Sequence, residues 1–134
     1  MRNARVPDMT PLQGDLQIQV MGVLWRLGEG TVEQVRSALP RRYQGAYTTV
    51  QTVLNRLAER GLLSREKAGR GIVYRPDVSE ADYVSRTIER ALSGASADAR
   101  QAALAQLVGG LGKDELSELQ RRSRDIGKAR RRKG

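Results

Sequence analysis

Apolar residues recur with the period of an α-helix in the first patterned stretch of the chain. Between residues 12 and 27 they fall at i, i+4, i+7, i+8 and i+11, which predicts an amphipathic helix that Gly28 ends. Ile18, Met21 and Trp25 form a second apolar stripe on the same helix. We therefore expect this helix to be buried on two sides.

Two further helices are predicted next. Thr31 and Gln34 have capping-box spacing, which predicts a short second helix that Pro40 ends. A third helix is predicted over residues 47–60, with Gly61 as its C-cap. Its buried face consists of Val50, Val53, Leu54 and Leu57. At about 100° per residue, the opposite face carries Thr48, Thr52, Asn55 and Glu59, with Gln51 and Arg56 on its flanks.

Two short strand-like runs follow, at residues 62–67 and 72–75. Gly69 and Gly71 lie between them and supply the conformational freedom that a tight hairpin needs, and Pro76 ends the second run. The hairpin is basic, with Arg65, Lys67, Arg70 and Arg75 against Glu66.

The rest of the chain is predicted to be helical, in segments beginning near Ser79, Ser96 and Lys113. Their apolar stripes are formed by Val84, Ile88, Ala91, Leu92, Leu104, Leu107, Leu116, Leu119 and Ile126. Such narrow stripes cannot make a core alone, so they need a partner. A second copy of the same chain is the simplest one.

These elements predict a mostly α fold with a small β-hairpin: a winged helix-turn-helix followed by a C-terminal helical dimerisation region. We expect a flexible arm at 1–11, the winged-helix domain at 12–77, the dimerisation region at 78–120 and a basic tail at 121–134. The tail holds eight Lys and Arg residues against Asp125 alone. We expect it to be solvated and partly disordered, adding non-specific attraction to phosphates.

The net charge of the chain indicates which class of molecule it can bind. The chain has 24 Lys and Arg against 15 Asp and Glu, a formal charge of +9, and such a surface attracts polyanions. A basic surface is also found on proteins from arginine-rich proteomes, so the position of the charge must decide between the two interpretations.

Several function classes are excluded. The sequence contains no Cys and no His, which removes thiol and imidazole catalysis and almost every transition-metal site, so we expect no metal and no cofactor. The carboxylates are scattered, without a pocket pattern, and an enzyme is not predicted. No apolar run reaches the roughly 20 residues that span a bilayer, and no signal peptide is evident. We therefore expect a cytoplasmic protein without a membrane partner.

The outward face of the third helix has the chemistry of a DNA-recognition helix. Small threonine side chains permit close approach, and their methyl groups can contact thymine methyls. Amide side chains match the donor and acceptor of adenine, and arginine reaches guanine or phosphate. The start of the helix offers free N–H groups to a phosphate. The candidate contacts are Thr48, Thr49, Gln51, Thr52, Asn55 and Arg56 on the helix, with Lys67 and Arg70 on the hairpin.

Other interpretations stay open at this point. The third helix can be an ordinary amphipathic helix with a solvated face, although Glu59 is the single acidic residue on that face. The hairpin can be a surface hairpin whose charges prevent edge-to-edge aggregation. A winged helix that binds another protein, without sequence-specific binding to DNA, is the main alternative function. It would favour exposed apolar residues on the third helix, and none is predicted there.

Four runs of residues resemble the penicillinase repressor family, which includes the methicillin-resistance and copper-transport-operon repressors. They are residues 19–25 (QVMGVLW), 46–57 (AYTTVQTVLNRL) with 61–63 (GLL), 71–74 (GIVY) and 114–119 (DELSEL). The resemblance covers roughly residues 12–120 and is most specific in the first two runs.

The resemblance implies a homodimeric repressor that binds a short palindromic operator in double-stranded DNA and blocks transcription. By position, the operator contacts would be Thr48, Thr49, Gln51, Thr52 and Arg56, with Lys67 and Arg70 on the wing. The dimer contacts would be Tyr83, Val84, Ile88, Leu92, Leu104, Leu107, Leu116 and Leu119.

The sequence departs from the family pattern at two points that concern regulation. Copper-responsive members use C-terminal cysteines, and this chain has none. Antibiotic-responsive members are inactivated by a sensor protease that cleaves an Asn–Phe bond in the dimerisation region. The nearest match here is Gln106–Leu107, so a sensor protease is a candidate partner whose cleavage site has changed.

Overall fold

The structure is a computed structural model that describes Leu12 and residues 14–133. The arm predicted at 1–11 lies outside the described residues. The chain divides into two compact units, the first ending at Arg90 and the second beginning at Ala91.

The helices and strands follow the predicted order. They are α1 (Asp15–Leu27), α2 (Val32–Ala38), a single 3₁₀ turn (Arg41–Tyr43), α3 (Tyr47–Glu59), β1 (Leu63–Ala68), β2 (Gly71–Pro76), α4 (Glu80–Ser93), α5 (Ala97–Gly109) and α6 (Lys113–Lys133). Three helices followed by an antiparallel hairpin are the elements of a winged helix, and the predicted fold class is confirmed.

The core of the first unit lies among α1, α2, α3 and the start of the hairpin. Its fully or nearly fully buried side chains are Val20, Met21, Val23, Leu24, Val32, Val35, Leu39, Val50, Val53, Leu54, Leu57, Leu62, Leu63 and Tyr74. All four residues predicted for the inner face of α3 belong to this set. Burial of this face fixes which side of α3 is left for solvent or a ligand.

The prediction that α1 is buried on two sides is only partly correct. Met21 is fully buried and Trp25 is half-buried, but Ile18 is 49% exposed. The helix also begins at Asp15, after Gly14 at φ 82°, and not at residue 12. Ile18 is exposed because, at about 100° per residue, it lies on the opposite side of α1 from Leu16 and Val20, which face the core.

The capping box of α2 is confirmed. The Gln34 backbone N–H donates to the Thr31 hydroxyl at 3.2 Å, and the Thr31 backbone N–H donates to Oε1 of Gln34 at 2.9 Å. Two backbone groups that would lack partners at the start of the helix are thereby satisfied.

The hairpin pairs Leu63 with Pro76 at one end and Ala68 with Gly71 at the other. Gly69 has φ 61° at the first central position of the two-residue turn, the position that requires glycine in a type II′ turn. A short bridge adds Gly30 to the sheet. Its N–H donates to the Tyr74 carbonyl at 3.0 Å, and the Tyr74 N–H donates back at 2.8 Å.

The first part of α4 packs on α1 within the first unit. Nε1 of Trp25 donates to the Val78 carbonyl at 2.9 Å, and the rings of Trp25 and Tyr83 lie 5.6 Å apart. The Tyr83 hydroxyl accepts from the Leu12 backbone N–H at 2.7 Å. The predicted division at residue 77 therefore differs from the structure, where the two units divide within α4. Tyr83, expected at a dimer contact, already packs inside its own unit.

The second unit begins within α4 and contains α5 and α6. Ser96 caps α5 by accepting from the Ala99 N–H at 3.2 Å. Among the described residues of α4 and α5, none is buried.

The expectation of a partly disordered tail is wrong, because α6 runs without a break through Lys133. Arginine and lysine are good helix formers. Glu118 also accepts hydrogen bonds from Arg121 and Arg122, one turn later in the helix, and these bonds lower the pKa of Glu118. Within the part of the chain that the structure describes, no helix combines the length and apolar character needed to cross a bilayer.

Candidate nucleic-acid interface

The polar face of α3 is open to solvent as predicted. Thr48, Thr49, Thr52 and Arg56 are exposed, and Gln51 is half-buried at the flank. The hydroxyl of Thr52 donates to the Thr48 carbonyl at 2.9 Å, so its oxygen remains able to accept a hydrogen bond from outside.

The start of α3 favours an anionic ligand. Ala46 occupies the N-cap position, and its methyl side chain cannot accept a hydrogen bond from the first turn. The Ala46 carbonyl accepts from the N–H groups of Thr49 and Val50, at 3.0 and 3.3 Å. The N–H groups before them point along the helix axis at the positive end of the helix dipole, an arrangement that suits a phosphate.

Asn55 makes contacts within the protein that the sequence did not predict. Its Oδ1 accepts from the Tyr74 hydroxyl at 2.8 Å and from Nη1 of Arg65 at 3.2 Å. Paired recognition of adenine needs both the oxygen and the nitrogen of the amide, and here the oxygen is occupied. Asn55 instead joins α3 to the hairpin, since Arg65 and Tyr74 are register partners on β1 and β2.

Tyr74 is the buried member of this connection. It is only 1% exposed, and burial raises the pKa of its phenol above the usual 10.0, while the charge of Arg65 acts in the opposite direction. The sequence contained one indication of the bond, a tyrosine that directly follows Ile72 and Val73 in the second strand. A buried tyrosine hydroxyl generally finds a hydrogen-bond partner.

The basic side chains of the hairpin fall into two groups. Arg65 is held by Asn55, and Arg75 forms ion pairs with Glu29 at 3.0 Å and with Glu66 at 3.5 Å. Lys67 and Arg70 are exposed near the turn. The two residues predicted to contact phosphates are thus at the end of the hairpin, while the other two cations hold its base in position.

The chain is similar to a known protein family over most of its length. The model of the penicillinase repressor family matches residues 13–124. The chain belongs to the penicillinase repressor family. The family resemblance expected from the sequence is confirmed.

Two relatives support the same assignment. The transcriptional regulator BlaI of Mycobacterium tuberculosis is 41% identical over 110 residues, which cover 81% of this chain and 80% of that protein. The penicillinase repressor of Bacillus licheniformis is 34% identical over 74 residues, which cover 55% of this chain and 58% of that protein.

Two solved structures of repressors overlap about half of the chain. The DNA-binding domain of the repressor BlaI is 34% identical, with a TM-score of 0.48 and coverage of 55% of this chain and 89% of that one. The CopR repressor is 37% identical, with a TM-score of 0.44 and coverage of 52% and 99%.

The repressor is a DNA-binding transcriptional regulator and not an enzyme. The functional class predicted from α3 and the hairpin is confirmed by the family match, and the alternative of a protein-binding winged helix is set aside. The individual contact residues stay predictions.

The raised pKa of Tyr74 predicts a pH-dependent loss of stability. A phenol whose pKa is higher in the folded state stabilises the fold below pH 10 and loses that contribution as the pH rises through the folded value. Above pH 10 the free energy of unfolding should therefore fall more steeply for the wild type than for Tyr74→Phe, as measured by urea denaturation. Equal slopes for the two proteins would contradict the assignment.

The bond between Asn55 and Tyr74 predicts non-additive stability effects. Asn55→Ala leaves a buried hydroxyl without its acceptor and should cost about 1–3 kcal/mol. Once Tyr74→Phe has removed that hydroxyl, the same Asn55 substitution should cost clearly less. A double-mutant cycle by chemical denaturation measures the coupling, and strictly additive effects would show that the bond does not form in solution.

Proposed function

We propose that this repressor binds a palindromic operator in double-stranded DNA as a homodimer, with α3 in the major groove and the hairpin along the adjacent backbone. The observation that carries the proposal is the fixed relation between the exposed face of α3 and the basic end of the hairpin, held by Asn55, Tyr74 and Arg65.

The face of α3 supports contacts to base edges. Thr48, Thr49 and Thr52 are small and exposed, which lets the helix lie close to the floor of the groove. Gln51 and Arg56 flank them, and their longer side chains suit adenine and either guanine or phosphate. In this proposal Asn55 positions the wing and makes no paired contact to a base.

The end of the hairpin supports contacts to phosphates. Lys67 and Arg70 are exposed on either side of the Gly69 turn. Contacts of this kind place the protein on the duplex without distinguishing one sequence from another. They predict affinity that falls steeply with salt.

Exposed apolar side chains in the C-terminal half support dimerisation. The exposed fraction is 47% for Val84, 41% for Ile88, 56% for Leu107 and 42% for Leu119. Leu92, Leu104 and Leu116 are half-buried. A second copy of the chain would cover such residues and would give the two α3 helices the two-fold symmetry of a palindromic site.

The proposal places the repressor in the cytoplasm, with a sensor protease as its inactivating partner. The Gln106–Leu107 bond lies in α5, and both residues are exposed. Cleavage there would divide the proposed dimer region and so weaken operator binding. This part of the proposal rests on the family resemblance.

Two substitutions distinguish sequence readout from phosphate contact. Gln51→Ala should lose roughly 1–3 kcal/mol of discrimination at one base pair. Lys67→Ala should weaken binding to all duplexes alike and reduce the salt slope by about one. Gel-shift titration of DNA upstream of the repressor's own gene, against single-base variants and random duplex, measures both. A wild-type protein without any preference over random duplex would refute the operator proposal.

Dimerisation is tested by placing a charge on an exposed apolar residue. Leu107→Glu should shift the protein from dimer to monomer in sedimentation equilibrium. Ile72→Glu is the matched control, because Ile72 is also exposed, at 42%, but lies on the hairpin outside the proposed interface. The dimer model fails if the wild type is monomeric or if both variants behave alike.

A further inference from the structure

The last helix carries its positive charges in an ordered arrangement. From residue 121 to residue 133, α6 has eight basic residues and one acidic residue. Five of the basic residues follow the spacing i, i+3, i+7, i+10 and i+11. We call this set the basic stripe: Arg121, Arg124, Lys128, Arg131 and Arg132.

The basic stripe occupies one side of the helix. At about 100° per residue, its five positions fall within an arc of about 100°. Leu119 and Ile126 lie on the far side of the same helix, together with Arg122 and Arg130, and Leu116 lies between that side and the stripe. The stripe therefore stays open when that apolar side is covered by a second copy of the chain.

The C-terminal end of the stripe has no acidic neighbours along the helix. Arg121 pairs with Glu118 and Asp125, but exposed pairs of this kind are weak and yield readily to a stronger anion. Arg131 and Arg132 have no acidic residue within one helical turn along the sequence. The stripe residues are all exposed.

We propose that the basic stripe of α6 is a second, sequence-independent binding surface for the phosphates of duplex DNA. The family match ends at residue 124, so Lys128, Arg131 and Arg132 lie beyond the region that it covers. The proposal rests on the proposed function in taking duplex DNA as the partner and in leaving this side of α6 uncovered in the dimer.

Duplex DNA fits this helix better than an anionic membrane does. A helix that lies in a membrane surface buries a broad apolar face, commonly with aromatic residues. The apolar side of α6 has three large residues along its whole length and no aromatic residue. A line of cations over about 16 Å suits the regular spacing of backbone phosphates.

The test compares two double variants of the full chain that have the same net charge. Arg124→Gln with Arg131→Gln removes two cations of the stripe. Arg122→Gln with Arg130→Gln removes two cations of the same helix that lie outside the stripe, beside Leu119 and Ile126. Sedimentation equilibrium checks that both double variants keep the wild-type oligomeric state. Affinity is measured by fluorescence anisotropy over a series of salt concentrations, on a random 30-base-pair duplex and on DNA upstream of the repressor's own gene.

The stripe variant should lower the slope of log affinity against log salt concentration by about two, roughly one for each contact removed. Its affinity for both duplexes should fall by the same several-fold factor. The variant outside the stripe should change both quantities much less. Arg124→Lys with Arg131→Lys should keep the wild-type slope, which separates lost charge from damage to the helix. Equal behaviour of the two Gln variants would overturn the proposal.

Two further readouts separate the possible failures. If the wild type binds the upstream DNA no better than the random duplex, the proposed base recognition by α3 is refuted. The comparison of the two Gln variants on the random duplex would still decide the role of the stripe. Vesicles of phosphatidylglycerol and phosphatidylcholine test the other polyanion. If the stripe variant loses vesicle binding but keeps both DNA affinities, the partner is an anionic membrane and the DNA proposal is wrong.

Discussion

A single side-chain oxygen links the two parts of the proposed DNA-binding surface. Oδ1 of Asn55 accepts one hydrogen bond from each strand of the hairpin, from Arg65 on β1 and from the buried Tyr74 on β2. The hairpin has only two main strands, and such a pair has little independent stability. Its direction relative to α3 therefore depends on this connection, on the burial of Leu63 and Tyr74 in the core, and on the Gly30 bridge at the other edge of β2.

The ion pairs of Arg75 add to the same constraint. Arg75 contacts Glu29, next to the Gly30 bridge, and Glu66 on the facing strand. These are partly exposed pairs, so their individual contribution to stability is small. Their effect is to assign Arg75 to the base of the hairpin, which leaves Lys67 and Arg70 as the exposed cations nearest its turn.

Local patterns were sufficient to predict most of the elements and the buried side of α3. The capping box at Thr31 and the i, i+3, i+4, i+7 spacing from Val50 depend on residues close in sequence, so they can be identified without knowledge of the fold. Asn55 could not be assigned in this way. Several residues of α3 point outward at similar angles, and the one that lies beneath the hairpin is decided by a contact with Tyr74, 19 positions later.

Tyr83 shows the same limitation, since its place depends on Trp25. The high charge of residues 121–134 predicts a partly disordered tail, whereas helix propensity and the ion pairs of Glu118 determine its helical conformation.

The helical state of residues 121–133 also changes the entropy of any complex that they form. A disordered basic tail loses backbone freedom when it settles on a polyanion, and that loss offsets part of the electrostatic gain. In α6 the backbone is already ordered before contact, so chiefly side-chain freedom is lost on binding. In a flexible tail these cations would occupy variable positions. On α6 they form a preorganised row with a fixed direction and a fixed length.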